Sequence, residues 1–350
     1  MELEKILSQV RAPIQYLNKE INSVRKDPNS ARLRVVLAFP DLYEIGISHF
    51  GHKLLYHILN NQSGIFCDRA YAPAPDLKEQ LEKANLPLFA WESRIPLKDF
   101  DLLGFTLASE LSYTNVLYML ALAKIPLRAE ERKEGNFPLI IAGGPCVSNP
   151  EPVWSFFDAF FFGEADEAIL EIAELVREWK ENGDGDKLSL LKGLCQIPGV
   201  YVPEFYQLEF DSAGRLKKIQ AKDWAPEKIS RRILPDLNQA FFPTAQLVPI
   251  SQAVHDRLVV EIARGCTRGC RFCSAGIIYR PYRERSLEKI LELTREGLAQ
   301  TGYEECSFLS LSAGDYSRIE ELIVKTITEH WEKRIAISLP SLRANSLTPV

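Results

Sequence analysis

Short apolar runs alternate with amphipathic stretches along most of the chain. Apolar runs of four to seven residues predict strands, and stretches with a period near 3.6 predict helices. Between residues 33 and 180 the predicted strands are 33–39, 65–70, 101–107, 138–142 and 159–162, and the predicted helices are 46–60, 76–84, 112–123 and 166–180. Strands that alternate with helices are typical of a parallel sheet, so an α/β fold is expected.

The alternation resumes after a polar, turn-rich interval. Later strands are predicted at 258–263, 306–311 and 334–339, with helices at 287–299 and 319–331. The interval itself has turn signals between short apolar runs and predicts a small β-rich connector. The expected domains are a helical lead-in (1–30), an α/β domain (31–182), the connector (183–255) and a second βα series (256–350).

The composition is typical of a globular protein, with 46% hydrophobic residues and a net charge of −5. No apolar run reaches the ~18 residues of a membrane-spanning helix, and the N-terminus has no signal-peptide character. We therefore expect a cytoplasmic protein with no membrane partner. The acidic balance disfavours broad binding of nucleic acid. Tyr279 and Tyr282, which stand among arginines, leave a local nucleic-acid contact open.

Three cysteines, Cys266, Cys270 and Cys273, follow the predicted strand 258–263 with the spacing C-x3-C-x2-C. Closely spaced thiolates are the usual ligands of iron–sulfur clusters, and three of them leave one iron of a four-iron cluster open. Zinc is an alternative, but structural zinc sites have four ligands, and neither His255 nor Cys306 forms a second close pair. A disulfide framework is not expected without a secretion signal.

This spacing, with Phe272 just before the last cysteine, resembles the radical S-adenosylmethionine (SAM) superfamily. The resemblance implies a 4Fe–4S cluster on the three cysteines, with SAM bound at the open iron. It also implies a (β/α) barrel, of which residues 256–350 are the first half. We therefore expect a truncated chain, or one part of a split protein whose barrel a second chain completes.

The resemblance further implies contacts to SAM. The turn from Ser312 to Asp315 occupies the place of a Gly-Gly-Glu-like motif that contacts the amino group of SAM, although a simple βα turn is the alternative. Ser338 and Arg343 belong to the third strand of this series and its end, where they are expected to face the ribose or the carboxylate. The residues expected to contact SAM are Phe272, Ser312, Gly314, Asp315, Ser338 and Arg343.

Residues 31–182 resemble the flavodoxin-like cobalamin (vitamin B12)-binding domain that precedes many radical SAM barrels. The run from Asp41 to Gly46 matches the signature D-x-H-x-x-G except that Tyr43 replaces the histidine that ligates cobalt. Other glycine and acidic residues follow predicted strands, where ligands bind parallel sheets, although ordinary βα turns have the same composition. The residues expected to line a cobalamin-like site are Asp41, Tyr43, Gly46, Gly143, Gly144, Gly163 and Glu164.

These resemblances imply a radical SAM iron–sulfur enzyme that reductively cleaves SAM to a 5′-deoxyadenosyl radical, for cobalamin-dependent methyl transfer or for methylthiolation. The implied cofactors are a 4Fe–4S cluster and SAM. Cobalamin is a third candidate, but Tyr43 stands in the position of its histidine ligand, so the sequence leaves its binding open. An electron donor such as flavodoxin or ferredoxin is the implied partner. The alternative is a non-catalytic iron–sulfur or cobalamin-binding fragment that needs a second chain. No substrate is indicated.

Overall fold

The structure, a computed structural model, describes residues 2–18, 20–183, 186–343 and 346. They divide into two units. Of the described residues, the first unit comprises 2–18, 24–183 and 186–233, and the second comprises 20–23, 234–343 and 346. None of the helices among the described residues has the length and apolar character needed to cross a bilayer.

The first unit is a layered α/β structure. Its helices are α1 (Glu2–Leu7), α2 (Tyr43–Gly46), α3 (Phe50–Asn60), α4 (Pro75–Lys83), α5 (Tyr113–Leu122), α6 (Ala165–Asn182) and α7 (Lys187–Leu194). Its strands are β1 (Leu33–Phe39), β2 (Ile65–Tyr71), β3 (Leu102–Thr106), β4 (Leu139–Gly143), β5 (Ala159–Phe161), β6 (Val200–Tyr201), β7 (Tyr206–Phe210) and β8 (Leu216–Ala221).

The main sheet of this unit has the strand order β2-β1-β3-β4-β5-β6. Strands β1 to β5 are parallel, and β6 pairs antiparallel with β5. Every residue of β2 is buried, as expected for a parallel strand whose two faces are both covered. The predicted mixed α/β fold with a parallel sheet is confirmed, and its five predicted strands are present within about two residues of their expected ends.

The first unit extends beyond the domain that the sequence analysis expects to end at residue 182. Helix α7 and strand β6 follow that residue, and β6 completes the main sheet by pairing Tyr201 with Phe160. Strands β7 and β8 form a separate antiparallel pair in the same unit. Residues 183–233 are therefore part of the first unit, although they were assigned to a separate connector.

The helical lead-in expected over residues 1–30 is mostly absent, because α1 ends at Leu7. Pro13 begins a short 3-10 turn, and proline has no amide hydrogen with which to continue an α-helix. Asn18 and Asn22 adopt φ angles of 48° and 65°, which a right-handed helix excludes. The apolar periodicity of this segment therefore reflects irregular packing and not a long helix.

The second unit carries its own parallel sheet. Its elements are β9 (Leu258–Glu261), β10 (Ala263–Arg264), α8 (Ala275–Ile278), β11 (Arg283–Glu284), α9 (Leu287–Thr301), β12 (Glu305–Leu309), α10 (Ile319–His330) and β13 (Ala336–Ser338). The sheet has the order β13-β12-β9. Its three strands therefore lie side by side in the order in which they occur along the chain. Ser286 caps α9 by accepting a hydrogen bond from the amide of Lys289.

Candidate cofactor sites

The cluster loop, defined here as residues 265–282, leaves the C-terminal end of the β9 segment. Its base is closed by the antiparallel pair β10–β11, in which Ala263 faces Glu284 and Arg264 faces Arg283. The preceding Ile262 donates its amide to the carbonyl of Leu309, at the end of β12. The loop therefore stands at the carboxyl edge of a parallel sheet, which is where such sheets bind ligands.

The three predicted ligand cysteines all lie on this loop as free thiols. Cys266 is half-buried, whereas Cys270 and Cys273 are exposed, and the Cys273 amide donates to the Cys270 carbonyl at 3.0 Å. The other four cysteines, Cys67, Cys146, Cys195 and Cys306, are buried. Because it is buried, Cys306 serves as a small apolar core residue.

The donor chemistry of these thiols fits an iron–sulfur cluster, because cysteine sulfur is the usual ligand of such clusters and none of the three forms a disulfide. Their geometry is not that of a closed site. Within the described residues, no three His, Cys, Asp or Glu side chains are grouped so that they could hold a metal ion. The cysteines are therefore accessible candidates on one loop and do not form a preassembled cage.

Two arginines near the loop have structural partners. Arg264 Nε and Nη2 donate to the carboxylate of Glu261 at 3.0 and 2.8 Å. Arg285 is 1% exposed and donates to the backbone carbonyls of Glu261 and Leu237. Arg264 is thus paired with a carboxylate of β9, and Arg285 joins the chain after β11 to the backbone at Glu261 and Leu237.

Asp315 lies at the end of the turn that follows β12, and its side chain is only 11% exposed. Arg268 donates from Nε to Oδ2 at 2.7 Å and from Nη2 to Oδ1 at 2.6 Å. Arg343 Nη2 donates to Oδ1 at 2.6 Å, and Ser312 Oγ donates to Oδ2 at 2.7 Å. These hydrogen bonds, led by those from Arg268, hold the pKa of Asp315 far below its usual range.

This cluster of side chains brings together three of the residues expected to contact SAM, namely Ser312, Asp315 and Arg343. Arg268 was not among them. Its contact with Asp315 spans 47 residues of sequence, and no local pattern connects the two. Gly314 lies in the same turn, where a Cβ would come within 2.7 Å of the Cβ of Ser346.

The two remaining SAM-contact candidates lie apart from this cluster. Ser338 is paired in register with Ser307, two residues before the end of β12, and its hydroxyl accepts a hydrogen bond from Arg257 Nη1 at 3.3 Å. Because Arg257 precedes β9, this contact is directed towards the amino ends of the strands. Phe272 is 93% exposed on the cluster loop.

In the first unit, the residues after β1 lie at the carboxyl edge of the main sheet. The carboxylate of the half-buried Asp41 accepts a hydrogen bond from the Leu42 amide at 2.8 Å. Tyr43 is only 2% exposed, and its ring contacts those of Tyr71 and Trp91 at centroid distances of 5.3 and 6.5 Å. The residue that replaces the cobalt-ligating histidine therefore lies inside the unit, and it does not fit the role of an axial ligand.

The remaining rim residues follow β4 and β5. Gly143 ends β4 with open space on its Cβ side, and Gly144 follows it. Gly163 is bridged to Arg232, whose carbonyl also accepts the amide hydrogen of Glu164 at 3.1 Å. The Glu164 carboxylate lies 3.4 Å from Arg231 Nη2. At the end of β5, Gly163 and Glu164 therefore contact other residues of the first unit. These contacts indicate no role for the two residues in binding cobalamin.

Two histidines that follow the Asp41–Gly46 run, His49 and His52, pack within the first unit. His49 Nδ1 accepts a hydrogen bond from the His52 amide at 3.2 Å and so caps α3. His52 is 1% exposed, and its ring contacts those of Phe39 and Tyr71 at centroid distances of 5.8 and 5.6 Å. Burial lowers the pKa of His49 to about 4 and that of His52 well below its usual range.

Comparisons with known proteins bear on both units. Residues 51–203 match the family model for the N-terminal domain of radical SAM proteins, and residues 260–347 match the model for the radical SAM superfamily. An uncharacterized protein of Methanocaldococcus jannaschii is 27% identical over 316 residues, which are 89% of this chain and 56% of that protein.

Two solved structures of TsrM, a radical SAM methyltransferase from Kitasatospora setae, have a similar fold. The structure with a tryptophan substrate and a SAM analogue has a TM-score of 0.50 over 87% of this chain. The structure with cobalamin and a [4Fe–4S] cluster has a TM-score of 0.52 over 88% of this chain. Sequence identity is 12% in both, and 54% of the TsrM chain is covered.

The chain spans little more than half the length of these relatives. The family matches agree with the expectation of an enzyme and imply a 4Fe–4S cluster and SAM as cofactors. Two segments of the chain therefore match models of radical SAM proteins, one for their N-terminal domain and one, which includes the three-cysteine loop, for the superfamily.

Proposed function

We propose that the chain belongs to an enzyme that cleaves SAM reductively, with its cluster on Cys266, Cys270 and Cys273. The observation that carries the proposal is the presence of three free thiols on one loop at the carboxyl edge of a parallel sheet, inside the segment that matches the radical SAM model. An iron–sulfur cluster held there would, when reduced, supply the one electron that splits SAM into methionine and a 5′-deoxyadenosyl radical.

The chain's own residues would hold the two cofactors. The three thiolates bind iron and leave one coordination position to a non-protein ligand. Arg343 lies beside the turn from Ser312 to Asp315, and a guanidinium suits the carboxylate of SAM. Phe272 and Gly314 are the proposed neighbours of the rest of SAM. Ser338 is a weaker candidate because its hydroxyl is directed towards Arg257. The order β9-β12-β13 supports a (β/α)-barrel architecture for this unit.

The first unit is proposed to be a flavodoxin-like domain that binds a corrinoid without a protein ligand to cobalt. Its order β2-β1-β3-β4-β5 is that of the flavodoxin-like class, in which ligands bind beside β1 and β3, where the strand order reverses. Asp41 follows β1 at that point. The cobalamin-bound TsrM structure gives independent support to a corrinoid. Methyl transfer is the favoured reaction class, and methylthiolation is the alternative. The proposed electron donor is a flavodoxin or a ferredoxin.

The test is anaerobic reconstitution of the full chain with iron and sulfide, followed by incubation with SAM and dithionite. The expected result is a brown protein that releases 5′-deoxyadenosine and methionine, both dependent on reductant. Cys266→Ala should abolish release, and Cys195→Ala, which changes a buried cysteine of the first unit, should not. A coloured protein that releases no 5′-deoxyadenosine would favour the non-catalytic alternative. A colourless protein that binds zinc would overturn the cluster assignment.

A further inference from the structure

The carboxylate of Asp315 has no acceptor position left for a ligand. A carboxylate offers about four lone-pair positions on its two oxygens. Oδ2 accepts from Arg268 Nε and Ser312 Oγ, both at 2.7 Å, and Oδ1 accepts from Arg268 Nη2 and Arg343 Nη2, both at 2.6 Å. An ammonium group could bind to Asp315 only by displacing one of these donors.

Arg268 is the partner that connects Asp315 to the cluster loop. It stands between Cys266 and Cys270 in the sequence, so its backbone moves with those of the two predicted ligands. Its guanidinium donates to both oxygens of one carboxylate, the bidentate geometry that fixes orientation most firmly. The pair therefore restrains the part of the loop that carries the first two thiols.

The turn that carries Asp315 is itself firmly held, as an anchor must be. The Ala313 amide donates to the Ser341 carbonyl at 2.8 Å, and the Asp315 amide donates to the Ser312 carbonyl at 3.0 Å. The hydroxyl of the buried Tyr316 donates to the carbonyl of Arg285 at 3.0 Å. Hydrogen bonds on both sides of Asp315 thus fix the position of its carboxylate relative to β11 and to the segment after β13.

From these contacts we infer that Asp315 is a positioning residue. Through Arg268 it restrains the part of the cluster loop that carries Cys266 and Cys270, and it is not the acceptor for the amino group of SAM. The inference rests on the proposed function, because it assigns roles within the same site. It changes the role that the resemblance implies for Asp315, and it adds Arg268, which no motif indicates.

The test compares five variants of the full chain after anaerobic reconstitution: Arg268→Gln, Arg268→Lys, Asp315→Asn, the double variant of Arg268→Gln with Asp315→Asn, and Arg271→Gln as the matched control. Arg271 is an exposed arginine of the same loop. The first readout is the rate at which an iron chelator removes the cluster. The second is the electron paramagnetic resonance (EPR) spectrum of the reduced cluster, with and without SAM. The third is the affinity for SAM, measured by equilibrium dialysis.

Each single variant should lose iron about tenfold faster than the wild type, the usual effect of removing a group that orients metal ligands. The double variant should be no faster than either single variant, because both remove one interaction. Both single variants should alter the EPR spectrum of the reduced cluster even in the absence of SAM. Arg268→Lys should restore part of the retention, and Arg271→Gln should behave as the wild type.

Three outcomes would overturn the inference. An Asp315→Asn protein with wild-type iron retention and EPR spectrum, but weakened SAM binding, would identify Asp315 as a direct ligand contact. Multiplicative effects in the double variant would show that the two residues act independently. A wild-type chain that takes up no iron would overturn the proposed function as well. The iron content of the wild type is measured first, so this outcome is known before any variant is compared.

Discussion

Gly46 lies against the ring of Tyr71. A Cβ built on Gly46 would be 2.4 Å from both Cδ1 and Cε1 of that ring, far inside van der Waals contact. Tyr71 cannot turn aside, because it is 0% exposed and its ring contacts those of Tyr43 and Trp91. Packing within the unit therefore suffices to explain a glycine that the cobalamin resemblance would assign to a cofactor.

Gly46→Ala should destabilise the first unit in the absence of any corrinoid. Overpacking of a filled core typically costs 1–3 kcal/mol, more than the fraction of a kcal/mol that alanine gains in a helix. The measurement is the free energy of unfolding of the corrinoid-free protein. Gly143→Ala is the matched control, because nothing lies within 4 Å of its added Cβ and its effect should stay within about 0.5 kcal/mol. Equal stability of the two variants would contradict this account of Gly46.

Iron content should depend on the three cysteines of the cluster loop and on none of the four buried ones. Alanine at Cys266, Cys270 or Cys273 removes a thiolate ligand, so each variant should retain less than about a fifth of the wild-type iron after reconstitution and desalting. Cys195→Ala should retain it fully, because that thiol is buried in the first unit. Full iron content after Cys266→Ala would sink the ligand assignment.

A corrinoid bound to the first unit should show no nitrogen ligand from the protein. Because the ring of Tyr43 is enclosed by Tyr71 and Trp91, Tyr43→Phe should leave both the affinity for hydroxocobalamin and its spectrum unchanged. Tyr43→His should not create a cobalt ligand either, since position 43 is 2% exposed. The EPR spectrum of bound cob(II)alamin provides the test. Nitrogen splitting in the Tyr43→His protein would place this position at the cofactor.

The stability of the first unit should fall between pH 7 and pH 5, partly through His52. Burial, together with the nearby His49 and Arg69, holds the pKa of His52 well below its usual range. The folded state therefore keeps the ring neutral, whereas the unfolded chain protonates it below about pH 6.5. The stabilisation is complete above that pH and is lost as the pH falls.

His52→Phe isolates this contribution. Neither ring nitrogen of His52 has a hydrogen-bond partner among the described residues, so the replacement breaks no hydrogen bond. From pH 7 to pH 5, the wild type should lose about 2 kcal/mol more of its unfolding free energy than the variant does. Urea unfolding followed by tryptophan fluorescence measures the difference. The exposed His255→Gln should keep the wild-type dependence, and an unchanged dependence in His52→Phe would refute the assignment.

The parts of the structure that were predictable from the sequence are those set by local patterns. Apolar periodicity located the strands of the two parallel sheets and the helices that connect them. The cysteine spacing located the loop that carries the thiols. The prediction of a helical lead-in was wrong because two asparagines and a proline interrupt an otherwise helical pattern. The Arg268–Asp315 pair and the burial of Tyr43 were not predictable, because each depends on which distant segments the fold brings together.

Strand β6 has a practical consequence for work on the first unit alone. Its two residues supply the last hydrogen-bonded partner of β5, which contains the buried Phe160 and Phe161. A shortened protein that stops at residue 182 would leave that edge open, and open apolar edges invite pairing between molecules. An expression boundary at Ile233, where the unit ends, keeps the edge covered and should yield a monodisperse sample for crystallisation or spectroscopy.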